Sequence, residues 1–229
     1  RVAVAANFAG CLEVLAQQFQ ESSGNTVVPI VGSTGRHFAQ ISAGAPFDVF
    51  LAADEKHPQL LIENGLAEAA SCFTYARGRL VLWLADSLGT YHLDIRSVLV
   101  DPRVSTIAMA NPRLAPYGEA AIQTLENLGL ATDSGAGIVM GTSVGQTWQF
   151  AVTGNTDAAF VALSQVKNTT SGRYLLVPDE LYGPLNQQAV LLSRAASNPT
   201  AVLFMKFMAS SSAGDVIKSY GYLIRDPED

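Results

Sequence analysis

Short apolar runs alternate with helical spacings from the first residues onward. Val2 to Ala5 reads as a buried strand, and Leu12, Leu15, Ala16 and Phe19 recur behind it on one helix face. Gly24 stops that helix, and Thr26 to Val31 supplies the next strand. Phe38, Ile41 and Ala45 share a face of a second helix, which the Gly44–Pro46 segment ends. Val49 to Ala52 is a third strand, and Asp54 is placed to cap the helix carrying Leu60, Leu61 and Ile62. Repeated strand–helix–strand units predict a parallel sheet with helices on its faces.

The pattern changes over Phe73 to Leu84, a long β-rich run with Gly78 in its middle. Beyond it, strands are predicted at Ser105–Met109, Ile138–Met140, Ala158–Val161 and Gln188–Leu192. Helices are predicted at Ala120–Leu128, Gln146–Val152, Thr200–Met208 and Ala213–Tyr220. The sequence carries no internal repeat and no low-complexity linker. Two strand–helix sets joined by strands predict two lobes with a hinge, and a ligand at the carboxyl ends of their strands.

Composition narrows the partners. Of 229 residues, 48% are apolar and 15% charged, so the chain is globular and lacks the charge density of a nucleic-acid binder. A formal charge of −6 argues against nucleic acid or an anionic membrane surface. A small anion is still allowed, because a closed site answers to local dipoles. No apolar run approaches the roughly 20 residues of a membrane span; Leu80 to Ala85 is strand-sized. Arg1 opens directly into a strand-like run, which bears on export neither way. Cys11 and Cys72 could form one disulfide in an oxidising compartment or stay two separate, half-buried thiols, and they are no zinc signature.

Candidate chemistry concentrates in four loops that follow strands and open helices. They are Ala6-Asn7-Phe8, Gly32-Ser33-Thr34-Gly35, Ala115-Pro116-Tyr117-Gly118 and Thr142-Ser143-Val144-Gly145. Each sets backbone N–H groups at the positive end of a helix, where an anion is favoured. One such loop is most simply a helix cap; four of them are a signal. Gly141-Thr142-Ser143-Val144-Gly145 also spells G-x-S-x-G, the hydrolase elbow. That fold needs a histidine after the serine, whereas His37, His57 and His92 all precede it, so a serine esterase is rejected. Gly32-Ser33-Thr34-Gly35 lacks the lysine of a nucleotide-phosphate loop, and no H-E-x-x-H occurs. The histidines read as surface or loop residues. The carboxylates Asp48, Asp54, Asp101, Glu119 and Asp157 are scattered, without an acid–base pair.

At these loops the sequence resembles the molybdate-binding proteins of ABC importers. Besides Ala5-Ala6-Asn7-Phe8 and Gly32-Ser33-Thr34-Gly35, the likeness rests on the run from Gly44 to Asp54 (GAPFDVFLAAD) and that from Asn111 to Gly118 (NPRLAPYG). Ser143-Val144-Gly145-Gln146 and Phe160-Val161-Ala162-Leu163 complete it, and it spans nearly the whole chain. The resemblance implies an α/β fold of the type II periplasmic binding proteins, two lobes of mainly parallel sheet flanked by helices. The division expected is 1–77 with 194–229 for the first lobe and 78–193 for the second. It also implies a non-enzymatic, periplasmic, monomeric protein without cofactor that binds molybdate or tungstate and serves a membrane permease. By position, Asn7 would offer its backbone N–H and its amide, and Ser33 and Thr34 both N–H and hydroxyl donors. Tyr117 and Val144 would offer backbone N–H groups. Neutral donors of this kind replace the hydration shell of a dianion, and a cage of fixed size separates molybdate from the smaller sulfate.

Two positions depart from the family pattern. Ala6 stands where some relatives carry a hydroxyl, and Ser143 is a further candidate donor. Arg36 follows the Ser-Thr-Gly loop where a neutral residue is expected. A cation in the first turn of a helix is unfavourable unless it faces solvent or an anion. Turned toward the ligand, Arg36 would favour another oxyanion or an organic anion, such as sulfate, chromate or a phosphonate. A sensing domain that has kept the fold and lost transport is a further reading.

Overall fold

A computed structural model of the protein describes residues 1–89, 94–130 and 135–224. In chain order, β1 (Val2–Ala5) leads through a 3₁₀ turn at Ala6–Phe8 into α1 (Ala9–Ser23), then β2 (Pro29–Gly32), α2 (Thr34–Ser42), β3 (Val49–Leu51) and α3 (Lys56–Glu63). β4 (Phe73–Gly78), β5 (Leu80–Leu84), α4 (Ile95–Leu99), β6 (Thr106–Ala110), α5 (Pro116–Asn127), β7 (Gly137–Gly141) and α6 (Val144–Val152) follow. β8 (Ala158–Ala162), α7 (Leu163–Val166), β9 (Arg173–Leu176), β10 (Leu185–Leu191), α8 (Pro199–Met208) and α9 (Ser211–Ser219) complete the described chain.

The chain forms two compact units, Arg1–Gly78 with Asn186–Asp229, and Arg79–Leu185. The expected return to the first lobe at 194 comes instead at Asn186, because β10 pairs antiparallel with β3 in the first sheet. The Phe73–Leu84 run is likewise two strands. β4 lies at the edge of the first sheet, and β5 pairs with β8 and β9 in the other.

In the first unit the order is β2-β1-β3-β10-β4, with β2, β1 and β3 parallel. Alternation along β1 explains how it is held. Val2 and Val4 face a core made with Leu12, Leu15 and Phe19 of α1 and Phe204 and Ile217 of α8 and α9. Ala3 faces the opposite side, with Phe50 of β3, Ile41 of α2 and Leu61 of α3. Helices on both faces make β1 apolar throughout, which is why it reads so clearly in the sequence. Gly24 ends α1 at φ 71°, a left-handed conformation natural to glycine.

In the second unit the order is β7-β6-β8-β5-β9, with β7, β6 and β8 parallel and β5 antiparallel to both its neighbours. This is the first unit's order with each strand replaced by a counterpart: β6 for β1, β7 for β2, β8 for β3, β5 for β10 and β9 for β4. A repeat absent from the sequence is therefore present in the topology. Cys11 is buried and Cys72 half-buried, and both are free thiols. No helix among the described residues is long and apolar enough to cross a membrane.

Candidate functional site

In the first unit, register brings two of the four loops together. Ala5 pairs with Gly32 at the ends of adjacent parallel strands, so the Ala6–Phe8 turn and the start of α2 leave the sheet side by side. Ser33 is the N-cap of α2, with extended backbone at φ −85° and ψ 151°, yet its side chain makes no capping bond. Its hydroxyl is buried with no partner among the described residues, although Ser33 is only 4% exposed. A buried hydroxyl in that state costs about 1–3 kcal/mol. Thr34 is buried beside it, and its Oγ1 accepts from Ala53 N at 3.0 Å, which leaves the hydroxyl hydrogen for another acceptor.

Asn7 is buried, and its amide is turned to an internal task. Nδ2 donates to Gln187 Oε1 at 2.9 Å and to the Tyr222 hydroxyl at 3.0 Å, so both amide hydrogens are committed within the unit. The expectation that this amide faces a ligand is therefore corrected; the backbone N–H is what the turn can offer. Ala6 is half-buried and Arg36 is exposed.

His37 also corrects the sequence reading. It is 1% exposed, packed edge-on to Phe47 and Phe50. Nε2 lies 3.2 Å from Val4 O and Nδ1 3.1 Å from Gln40 Oε1. The Val4 carbonyl can only accept, so Nε2 carries the hydrogen. Burial pushes the ring's pKa below its ordinary 6.5, the Gln40 and Val4 bonds oppose this, and Arg36 adds to it. His57 bonds Asp54 at 2.7 Å, and Asp54 also accepts from His57 N, so it caps α3 as expected. His92 lies outside the described residues.

In the second unit, Ala110 pairs with Gly141, so the openings of α5 and α6 are again neighbours. Pro116 at the first position of α5 has no N–H, and Tyr117, fully buried, carries the next one. Gly118 is required there, because a Cβ would run into the Ala110 carbonyl. At α6, Ser143 Oγ accepts from Gln146 N at 3.2 Å, while Gln146 Oε1 accepts from Thr142 N at 2.7 Å and Thr142 Oγ1 at 2.9 Å. Ser143 is thus a helix cap, and Val144 and Gly145 carry the outermost N–H groups of α6. Gln165 steadies this turn, accepting from Ala162 N at 3.0 Å and donating to Val144 O at 3.2 Å.

No acidic residue occupies the first turn of α1, α2 or α6; Glu119 in α5 is the exception among these four. Surface helices commonly place Asp or Glu there to meet the dipole. These helix ends keep their positive potential for something else. Among the described residues no group of His, Cys, Asp and Glu could hold a metal ion.

Two like sheets that each end in a pair of neighbouring helix N-termini define a solute-binding protein of the two-lobed periplasmic class. The chain belongs to the bacterial extracellular solute-binding protein family, whose sequence model matches residues 1–223. Among its relatives is the molybdate-binding protein ModA of Azotobacter vinelandii, 43% identical over 225 residues, covering 97% of this chain and 88% of the relative. ModA of Rhodobacter capsulatus is 39% identical over 221 residues, covering 96% and 86%. A solved structure of the Azotobacter vinelandii periplasmic molybdate-binding protein superposes with a TM-score of 0.87 at 39% identity, covering 98% of this chain and 99% of the other. These relatives are binding proteins, not enzymes, in keeping with Ser143 as a cap rather than a nucleophile.

Sequence reasoning missed Gln187, Tyr75 and Tyr222 around Asn7, and Gln165 behind Val144. Gln187 gave no signal, since a polar residue just ahead of the strand predicted from Gln188 reads as exposed loop. Gln165 was legible in principle, because it stands three residues after Ala162 at a strand-to-helix turn, the spacing of a capping box.

Proposed function

We propose that the protein captures molybdate or tungstate outside the cytoplasm, in the periplasm, and hands it to the membrane permease of an ABC importer. The carrying observation is the Ser33 hydroxyl, buried without a partner among the described residues at the open end of a helix. The dianion is held by Ser33 N–H and Oγ, Thr34 N–H and hydroxyl, and the backbone N–H of Asn7, Tyr117 and Val144. The turns at Ala6 and Ser143 complete the set. All of these donors are neutral, so the anion's hydration is replaced by oriented dipoles without a counter-charge. The names of the relatives support molybdate, and the chemistry of the donors suits tungstate equally. The protein acts as a monomer without cofactor.

Calorimetric titration of the ligand-free protein with molybdate, tungstate, sulfate, phosphate and chromate tests this reading. Submicromolar, one-to-one binding of molybdate and tungstate, with sulfate far weaker, is expected. Silence toward both metal oxyanions would remove the reading. Sulfate, chromate or a phosphonate bound more tightly than molybdate, and lost in Arg36→Ala, would establish a different oxyanion held by Arg36.

A further inference from the structure

The turn that carries Asn7 rests on a polar cluster closed to solvent. Gln187 is 0% exposed, and Tyr75 and Tyr222 are also buried. Gln187 Oε1 accepts from Asn7 Nδ2 and lies 3.0 Å from the Tyr75 hydroxyl, which also reaches Ala52 O at 3.1 Å. Tyr222 accepts from Asn7 Nδ2 and donates back to Asn7 O at 2.8 Å. Phe8, the next residue of the turn, packs edge-on to both tyrosine rings at 4.7 and 5.5 Å.

These partners come from β4, β10 and the segment after α9, so the turn is fastened to three distant parts of the chain. The surrounding core is apolar, and leucine or phenylalanine could fill the same volume without a desolvated amide. A 3₁₀ turn of three residues is weak by itself, since its hydrogen-bond geometry is poor and its nucleation unfavourable. Two side-chain bonds and one bond to the Asn7 carbonyl give it the fixed direction that its own backbone cannot. Tyr75 and Gln187 also stand close to the two points where the chain passes between its compact units, after Gly78 and before Asn186.

We infer that Gln187, Tyr75 and Tyr222 are positioning residues for the anion, holding the Asn7 turn so that its N–H stays aimed and tying that turn to both crossover strands. The inference rests on the anion-binding reading above. None of the three touches the ligand; each acts through Asn7.

Tyr222→Phe removes both bonds to Asn7 and keeps the ring against Phe8, and Gln187→Met removes the acceptor at nearly constant volume. With sodium molybdate as the probe, each variant should bind at least tenfold more weakly than wild type, with most of the loss in the dissociation rate. In the ligand-free variants, the amide hydrogens of Asn7 and Phe8 should exchange at least tenfold faster, while those of β1 and β3 keep their wild-type rates. Unchanged affinity together with unchanged exchange at Asn7 overturns the inference. So does accelerated exchange spread evenly through β1 and β3, which would mark the cluster as ordinary core. If wild type ignores molybdate while the variants loosen only Asn7 and Phe8, the functional reading falls and the anchoring of the turn stands.

Discussion

The two compact units repeat one strand order and solve the same local problem with different residues. At α2 and α6 a serine stands at the N-cap position, glycine follows at the second helical position, and the fourth is buried under a strand-end glycine. In the first unit these are Ser33, Gly35 and His37 beneath Gly32; in the second they are Ser143, Gly145 and Thr147 beneath Gly141. The third position decides the chemistry. Gln146 reaches back to Thr142 while Ser143 caps it, so the opening of α6 ties its own side chains together. Arg36 is exposed and does neither, and Ser33 keeps a buried hydroxyl without a partner among the described residues. The two helix openings are therefore not equal: the cap serine is bonded at α6, and its counterpart at α2 is not.

The largest effect should come from testing how tightly each unit is closed. Gly118→Ala drives a Cβ into the backbone carbonyl of Ala110, which cannot move without disturbing β6. Gly32→Ala meets the His37 ring, 2.7 Å away at Nε2, and a side chain can yield where a carbonyl cannot. Urea denaturation should show a loss of about 3 kcal/mol or more for Gly118→Ala and a smaller one for Gly32→Ala. Equal losses would mean that the second unit's close packing is not special.

Next come the two caps. Ser33→Ala removes a hydroxyl that no neighbour uses, so the ligand-free protein should be as stable as wild type or more so. Molybdate affinity should fall roughly 10- to 100-fold, the weight of a hydrogen bond to a charged group. Ser143→Ala should do the reverse, costing about 1 kcal/mol of stability as a lost N-cap while affecting affinity less. A Ser33→Ala variant that binds as tightly as wild type would sink the assignment of the first unit as side-chain donor. The linkers from the third strand of each unit sharpen the same contrast. Thr34→Val strands Ala53 N, and Gln165→Met frees Ala162 N and Val144 O; each should cost about 1–2 kcal/mol, read by thermal unfolding.

How much of this was legible follows from burial. Val2–Ala5 and the Ala158 strand are covered on both faces, so their apolar runs marked them to within a residue. β9 was missed because Arg173, Tyr174 and Leu176 are exposed on an edge strand and show no alternation. The start of β10 at Leu185 was missed because Asn186 and Gln187 read as loop, although Gln187 is fully buried. α5 begins at Pro116 rather than Ala120, since a proline at the first position and a buried Tyr-Gly pair hide the helix. The four loops were legible because strand end, small residue and helix start lie together in sequence. The Asn7 cluster was not, because its partners stand 180 and 215 residues away. Nor was the unit's repeat, since topology constrains where apolar residues fall without fixing which residue performs each task.

The smallest predicted effect separates His37 from its counterpart Thr147. Burial, chiefly, and the charge of Arg36 hold the His37 ring neutral in the folded chain, against the pull of Gln40 and Val4 O, while Phe47 and Phe50 close its other sides. The unfolded chain takes up a proton near the ordinary value of 6.5, and the folded chain only at a lower pH. Its native pKa being depressed, the neutral ring leaves stability intact above 6.5. As pH falls through 6.5 the unfolded state gains the proton first, so stability drops until the native pKa is reached, below which the loss is constant. His37→Thr, which installs the second unit's residue, should lose some stability at neutral pH by leaving space against Phe47 and Phe50. Yet its unfolding free energy, measured by urea titration from pH 7.5 to 5, should fall less steeply than that of wild type. The difference between the two curves isolates His37, because His57 and the carboxylates are common to both. Parallel curves would mean that the buried ring takes its proton as readily folded as unfolded. In that case the ring beneath Gly32 becomes a cation below pH 6.5, at a position where the second unit has only Thr147.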